Sequence, residues 1–180
     1  MFVQIQETPN PNSLKFIPGK KVSNIGSVEL LKKEDTNNDL LRSILSINGV
    51  ESIFLGDDFL SVNKNEKINW EDIKHIVISL INEFYSEGKD LILDKISKND
   101  EKKDFKEIEK KIIKILETKI KPAVARDGGD IKFVAFKEGI VTVQLQGSCS
   151  GCPSSTITLK RGVENLLTHY ISDVKQVEAI

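Results

Sequence analysis

Apolar and polar residues alternate from Phe2 to Gln6, and a period of two predicts a strand there. Thr8-Pro9-Asn10-Pro11-Asn12-Ser13 follows, where two prolines and two asparagines forbid helix and favour an extended turn. Leu14 to Ile17 resumes as a strand, which Pro18-Gly19 stops. From Asn38 to Ile47 the apolar residues Leu40, Leu41, Ile44, Leu45 and Ile47 keep a helical period, ended by Asn48-Gly49. Val50 to Leu55 and Phe59 to Val62 read as a hairpin around Gly56-Asp57-Asp58. A second helix, Trp70 to Tyr85, sets Ile73, Val77, Leu80, Ile81 and Phe84 on one face.

The pattern then breaks. Residues 86–104 hold 11 charged residues among 19 and read as a solvated linker, so a domain boundary is placed there. Beyond it, Phe105 to about Ile120 is an amphipathic helix burying Ile108, Ile112, Ile115 and Leu116. Asp127-Gly128-Gly129-Asp130 reads as a loop, whose glycines supply positive φ angles between helix and hairpin. Ile131 to Lys137 and Ile140 to Gln146 form a hairpin joined at Glu138-Gly139, with Val141, Val143 and Leu145 on one face. After Gly147-Ser148-Cys149-Ser150-Gly151-Cys152-Pro153 comes a helix with Leu159, Val163, Leu166, Leu167 and Tyr170 at helical spacing, then a strand near Asp173 to Glu178. The expected fold is α+β: two small α/β domains, 1–85 and 105–180, joined by a charged linker. Each is helix–hairpin–helix in outline, with a small mixed sheet packed by helices.

Composition narrows the function classes. Of 180 residues, 39% are apolar and 29% charged, enough apolar material for a core. With 26 basic and 27 acidic residues there is no electrostatic reason to expect nucleic acid or an anionic membrane as partner. No apolar run approaches the ~20 residues that span a bilayer, and the first residues resemble neither a signal nor a transit peptide. A bacterial cytoplasm is therefore expected, ahead of a mitochondrial-type matrix.

The chemistry sits at Cys149 and Cys152, the only cysteines. The pair lies between a strand and a helix N-terminus, where Pro153 suits the first helical turn and the helix dipole stabilises nearby anions. That position should lower a thiol's pKa, and Gly147 and Gly151 clear space for a bulky ligand, so two exposed thiolates are expected. Three chemistries compete. A thiol–disulfide oxidoreductase also uses C-x-x-C before a helix, but the strand here belongs to a hairpin rather than a βαβ unit, and no proline follows Pro153. Zinc wants four ligands; one chain offers a pair, and His75 and His169 lie in unrelated helices, so zinc would link two chains as an interaction module. An iron–sulfur cluster, [4Fe-4S] or [2Fe-2S], is normally held by four thiolates. One chain supplies two, so the simplest complete site is a two-fold homodimer with both cysteine pairs facing the axis. Spacing alone leaves the metal open.

The stretch from Ile112 onward resembles the C-terminal domain of NifU and the Nfu-type iron–sulfur proteins, through Ala123, Asp127-Gly128-Gly129-Asp130-Ile131, Leu145-Gln146-Gly147 and Cys149-Ser150-Gly151-Cys152-Pro153-Ser154-Ser155. The N-terminal part resembles the domain that accompanies it, through Thr8-Pro9-Asn10-Pro11-Asn12-Ser13-Leu14-Lys15-Phe16 and Gly49-Val50 to Phe59. The resemblance implies a non-enzymatic carrier that binds a cluster, chiefly [4Fe-4S], at Cys149 and Cys152. It would take the cluster from upstream assembly proteins and deliver it to apo-protein clients. The chain lacks the scaffold and ferredoxin-like domains of nitrogen-fixation NifU, which favours late transfer over primary assembly. Lys160-Arg161 reads as a solvated helix face. The N-terminal domain shows no ligand cluster and is left with client recognition or dimer geometry.

Overall fold

The computed structural model describes residues 2–91, 93 and 104–180. In the N-terminal half, strands β1 (Gln4–Glu7), β2 (Ser13–Ile17), β3 (Val28–Leu30), β4 (Val50–Leu55) and β5 (Leu60–Lys64) form a sheet in the order β1-β2-β5-β4-β3. Helices α1 (Asp39–Leu45) and α2 (Trp70–Ser86) complete this half. Asn38 caps α1, its side chain accepting from the Leu41 N–H at 3.2 Å. All the strand pairings are antiparallel, so this sheet is not the mixed one expected from the sequence. β3 went unread because three residues carry too little periodicity to register.

Alternation along β2, β4 and β5 sorts the residues onto two faces. Leu14, Phe16, Ile53, Leu55, Leu60 and Val62 join Leu41, Ile44, Val77 and Ile81 of the helices in one apolar cluster. Ser13, Lys15, Ser52, Phe54, Ser61 and Asn63 fall on the other face. An antiparallel sheet can leave such a face to water, yet every one of these residues is buried. Leu91 and Leu93, placed in a solvated linker from the sequence, are buried in the N-terminal core. Most of the remaining linker, 94–103, lies outside the described residues.

The C-terminal half begins with α3 (Glu107–Ile115), a π turn at Leu116–Ile120 and α4 (Lys121–Arg126). The helix was expected to end near Ile120, before Pro122. Proline has no N–H and its ring crowds the carbonyl four residues back. The chain accommodates it by widening the preceding turn, with the Lys121 N–H bonding to Leu116 O, five residues back. The strands β6 (Gly129–Lys137), β7 (Ile140–Gly147) and β8 (Gln176–Ala179) form a mixed sheet with β7 central, antiparallel to β6 and parallel to β8. Helix α5 (Pro153–Tyr170) is the crossover between the parallel strands. Val141, Val143, Leu145, Val163 and Leu167 meet Ile112, Leu116 and Ile131 in a second core, while Tyr170, at the same helical spacing, is 52% exposed.

The β6–β7 connection uses Glu138 at φ 52° and Gly139 at φ 86°, both left-handed, as a two-residue hairpin with matching twist requires. A Cβ on Gly139 would also approach Lys175 Cδ to 2.9 Å and Asp173 O to 3.2 Å. Gly139→Ala should therefore cost about 1–2 kcal/mol, seen as a lower midpoint in chemical denaturation with an unchanged slope.

Candidate functional site

The loop between β7 and α5 is turned by Gly147 (φ 68°) and Gly151 (φ 76°). The N–H and Oγ of Ser150 both donate to Gly147 O, at 3.1 and 2.8 Å. Cys152 is the N-cap residue of α5, its carbonyl accepting from the Thr156 N–H at 2.9 Å. Thr156 Oγ1 donates to Cys149 O at 3.3 Å, tying the other cysteine to the same helical turn. Local geometry thus sets both cysteines on one tight loop at the helix start. Neither forms a disulfide.

Two sequence expectations fail here. The cysteines are not exposed thiolates: Cys149 is 7% exposed and Cys152 8%. Cys149 packs among the C-terminal core residues, and burial pushes its thiol up to about 11; a hydrogen bond with Ser148 opposes the rise, and the Asp127 and Asp130 charges add to it. Second, the strand before the cysteines belongs to a βαβ unit, β7–α5–β8, as well as to a hairpin. That topology therefore does not separate this site from a thioredoxin-like one.

The Asp127–Asp130 segment serves the site more closely than a bare turn would. Gly128, at φ 82°, meets the expectation of a left-handed residue. Gly129 already belongs to β6, and a Cβ there would fall 2.5 Å from Cys149 Sγ and 2.6 Å from Gln146 O. Its missing side chain is the space Cys149 occupies. Asp130 accepts from the Ile131 N–H at 2.8 Å and from Ser27 Oγ at 2.5 Å, while Ser148 Oγ donates to Asp127 O. A cleft of about 350 Å³ opens beside Cys149, lined by Pro9, Val124, Asp127 and Leu159 among others.

Side chains of the N-terminal sheet reach this region, and no motif in the sequence marks them. Asn63 Nδ2 donates to Gly147 O at 3.1 Å and Ser61 Oγ to Gly128 O at 2.7 Å. Lys15 Nζ donates to Ala125 O (3.0 Å) and Arg126 O (3.3 Å) at the end of α4 and stands 4.2 Å over the Phe59 ring. Burial lowers its pKa, and the Asp58 and Asp127 charges oppose that. Glu29 accepts from the Gly147 N–H at 3.1 Å. The available signal was the polar face of β2 and β5, which reads as solvent-facing until its burial is seen. His75 and His169 lie outside the site: His75 Nδ1 is 3.2 Å from Glu71 O, and His169 stacks edge-on with Tyr170. Among the described residues, no group of three or more His, Cys, Asp or Glu could hold a metal ion.

Fold and site define a two-domain α+β protein with a C-x-x-C loop at a strand–helix junction. The NifU-like domain family matches residues 112–178, and the family described as scaffold protein Nfu/NifU N terminal matches residues 3–88. The chain is 44% identical to NifU-like protein 4, mitochondrial, of Arabidopsis thaliana, over 99% of this chain and 65% of that protein. It is 40% identical to the human NFU1 iron-sulfur cluster scaffold homolog, mitochondrial, over 100% of this chain and 72% of that one. It thus spans about two thirds of the length of these relatives. A solved NifU-like protein from Saccharomyces cerevisiae is 29% identical, covering 51% of this chain and 84% of that one with a TM-score of 0.45. The chain belongs to the NifU/Nfu family. The relatives also correct the expected compartment: they are named as mitochondrial proteins, against the bacterial cytoplasm read from the first residues. Within the alternating stretch at the start of the sequence, Gln4–Glu7 is strand β1.

Gly129→Ala tests the packing of the site. Displacing Cys149 or the Gln146 carbonyl should cost about 1–3 kcal/mol, measured by denaturant unfolding of the apo protein. A loss below about 0.5 kcal/mol would mean that the thiol has another place to go.

Proposed function

We propose that this protein is a non-catalytic iron–sulfur scaffold and carrier whose cargo, a [4Fe-4S] cluster, is held by Cys149 and Cys152 of two copies. The observation that carries the reading is the pairing itself. Two cysteines share one loop at the start of α5, Gly129 leaves room for one of them, and a cleft opens alongside. Cluster sites take four thiolates and this loop supplies half of them, so a second copy related by a two-fold axis completes the set. Binding displaces the thiol proton outright, so a high resting pKa at Cys149 is no obstacle to ligation. The same high pKa disfavours Cys149 as the attacking thiol of a thiol–disulfide exchange. Zinc between two chains would use the same sulfurs, and the scaffold names of the relatives favour iron and sulfide.

A site shared across an axis and lying on a loop gives up its cargo more readily than one wrapped in a core, which suits delivery to apo-protein clients. Residues 1–85 and 105–180 are taken as the two working units, with Leu91 and Leu93 of the intervening segment packed on the first.

Anaerobic reconstitution with iron and sulfide tests this. The expected product is a dimer with near four irons, identified by Mössbauer spectroscopy, and Cys149→Ser or Cys152→Ser should each abolish it. A chain that stays monomeric and iron-free would sink the carrier reading. Tight metal that survives oxygen would favour zinc.

A further inference from the structure

The Thr8–Ser13 turn belongs to the N-terminal half, yet it touches the cysteine loop. Pro9 and Pro11 fix two φ angles and withdraw two N–H groups, and the Ser13 N–H closes the turn on Asn10 O at 2.9 Å. Thr8 Oγ1 donates to the carbonyls of Asn10 (2.9 Å) and Ser13 (3.0 Å). The Asn12 N–H donates to Asn10 Oδ1 at 2.9 Å, which fixes the Asn10 amide with its nitrogen outward. Asn10 Nδ2 then donates to Ser148 O at 3.1 Å and Ser150 O at 3.3 Å, the carbonyls on either side of Cys149. Both amide hydrogens are used, and Asn10 is 4% exposed. Pro9 lines the cleft beside the Cys149 thiol.

We propose that the Thr8–Ser13 turn and the polar face of β2 and β5 form a built-in clamp on the cysteine loop, which must open before a second copy can approach. The inference rests on the shared-cluster reading for its purpose, though not for its geometry. A cluster bound by two chains needs both sulfurs at the surface, and in the closed chain both cysteines are buried. The contact is suited to opening. It consists mostly of side-chain donors on backbone carbonyls, which water can replace, and polar interfaces of this kind leave domain motion as the default. It is also imperfectly satisfied: Ser13 Oγ and Asn63 Oδ1 on the sheet face, and Gln146 Oε1 near the end of β7, are buried without a partner among the described residues.

Asn10→Asp is the discriminating variant. The carboxylate can still accept from the Asn12 N–H, so the turn survives, but both donors become a negative charge facing two carbonyls. Alkylation of Cys149 and Cys152 by iodoacetamide is followed by mass spectrometry in the apo full chain, with the denatured chain as reference. The clamp predicts slow labelling of the wild type and labelling about tenfold faster or more in Asn10→Asp, with an unchanged circular dichroism spectrum. Equal rates in a folded variant overturn it. Lys15→Gln, which weakens the grip on the end of α4, should shift the rate in the same direction. Small-angle scattering on the wild-type apo chain needs no variant: a compact particle supports the clamp, and domains already apart overturn it. The two readings fail separately. No iron uptake with the labelling contrast intact removes the cluster and keeps the clamp; iron uptake with no contrast does the reverse.

Discussion

A buried carbonyl must find a donor, and the carbonyls around the cysteine loop draw donors from both halves of the chain, Gly147 O from Ser150 and Asn63 and Gly128 O from Ser148 and Ser61. A glycine- and serine-rich loop between a strand and a helix has few ladder partners, and covering it without donors would cost about 1–3 kcal/mol per group. The N-terminal half adds Asn63 to Gly147, Asn10 to Ser148 and Ser150, and Ser61 to Gly128. Much else follows from that requirement. β2 and β5 carry polar residues on a face that no solvent reaches, and Gly147 has no side chain because Phe54 Cγ lies 2.9 Å from where a Cβ would stand.

The two halves of the chain therefore divide the chemistry. The C-terminal half brings the sulfurs and the cavity beside them, and the N-terminal half brings hydrogen-bond donors that decide when those sulfurs meet solvent. The π turn before Pro122 belongs to the same arrangement, since it carries the helix on to Arg126, where Lys15 holds the last carbonyls.

Local periodicity made most of the fold legible. Helices α1, α2 and α5 and both hairpins were readable because their apolar residues recur at 3.6 or 2 and their ends carry Asn, Gly or Pro. Cys149 and Cys152 stood out because they are the only cysteines and lie three apart. What stayed hidden depends on contacts between distant segments. The parallel pairing of β8 to β7 leaves no local mark, nor does the passage of a helix through Pro122. The raised pKa of Cys149 comes from burial, whereas the sequence shows only the nearby helix start. The purpose of Gly129 is a neighbour's sulfur rather than a backbone angle, and a neighbour twenty residues away cannot be seen from the glycine.

The order Asn10-Pro11 has a consequence for how the protein ages. An asparagine turns slowly into an acid when the next residue's backbone nitrogen attacks its side-chain amide and closes a five-membered imide. Proline offers no N–H for that ring closure. The amide that bridges the two carbonyls around Cys149 is thus shielded, by its covalent neighbour, from the spontaneous chemistry that would give it the wrong charge. A long-lived copy of the chain keeps its latch.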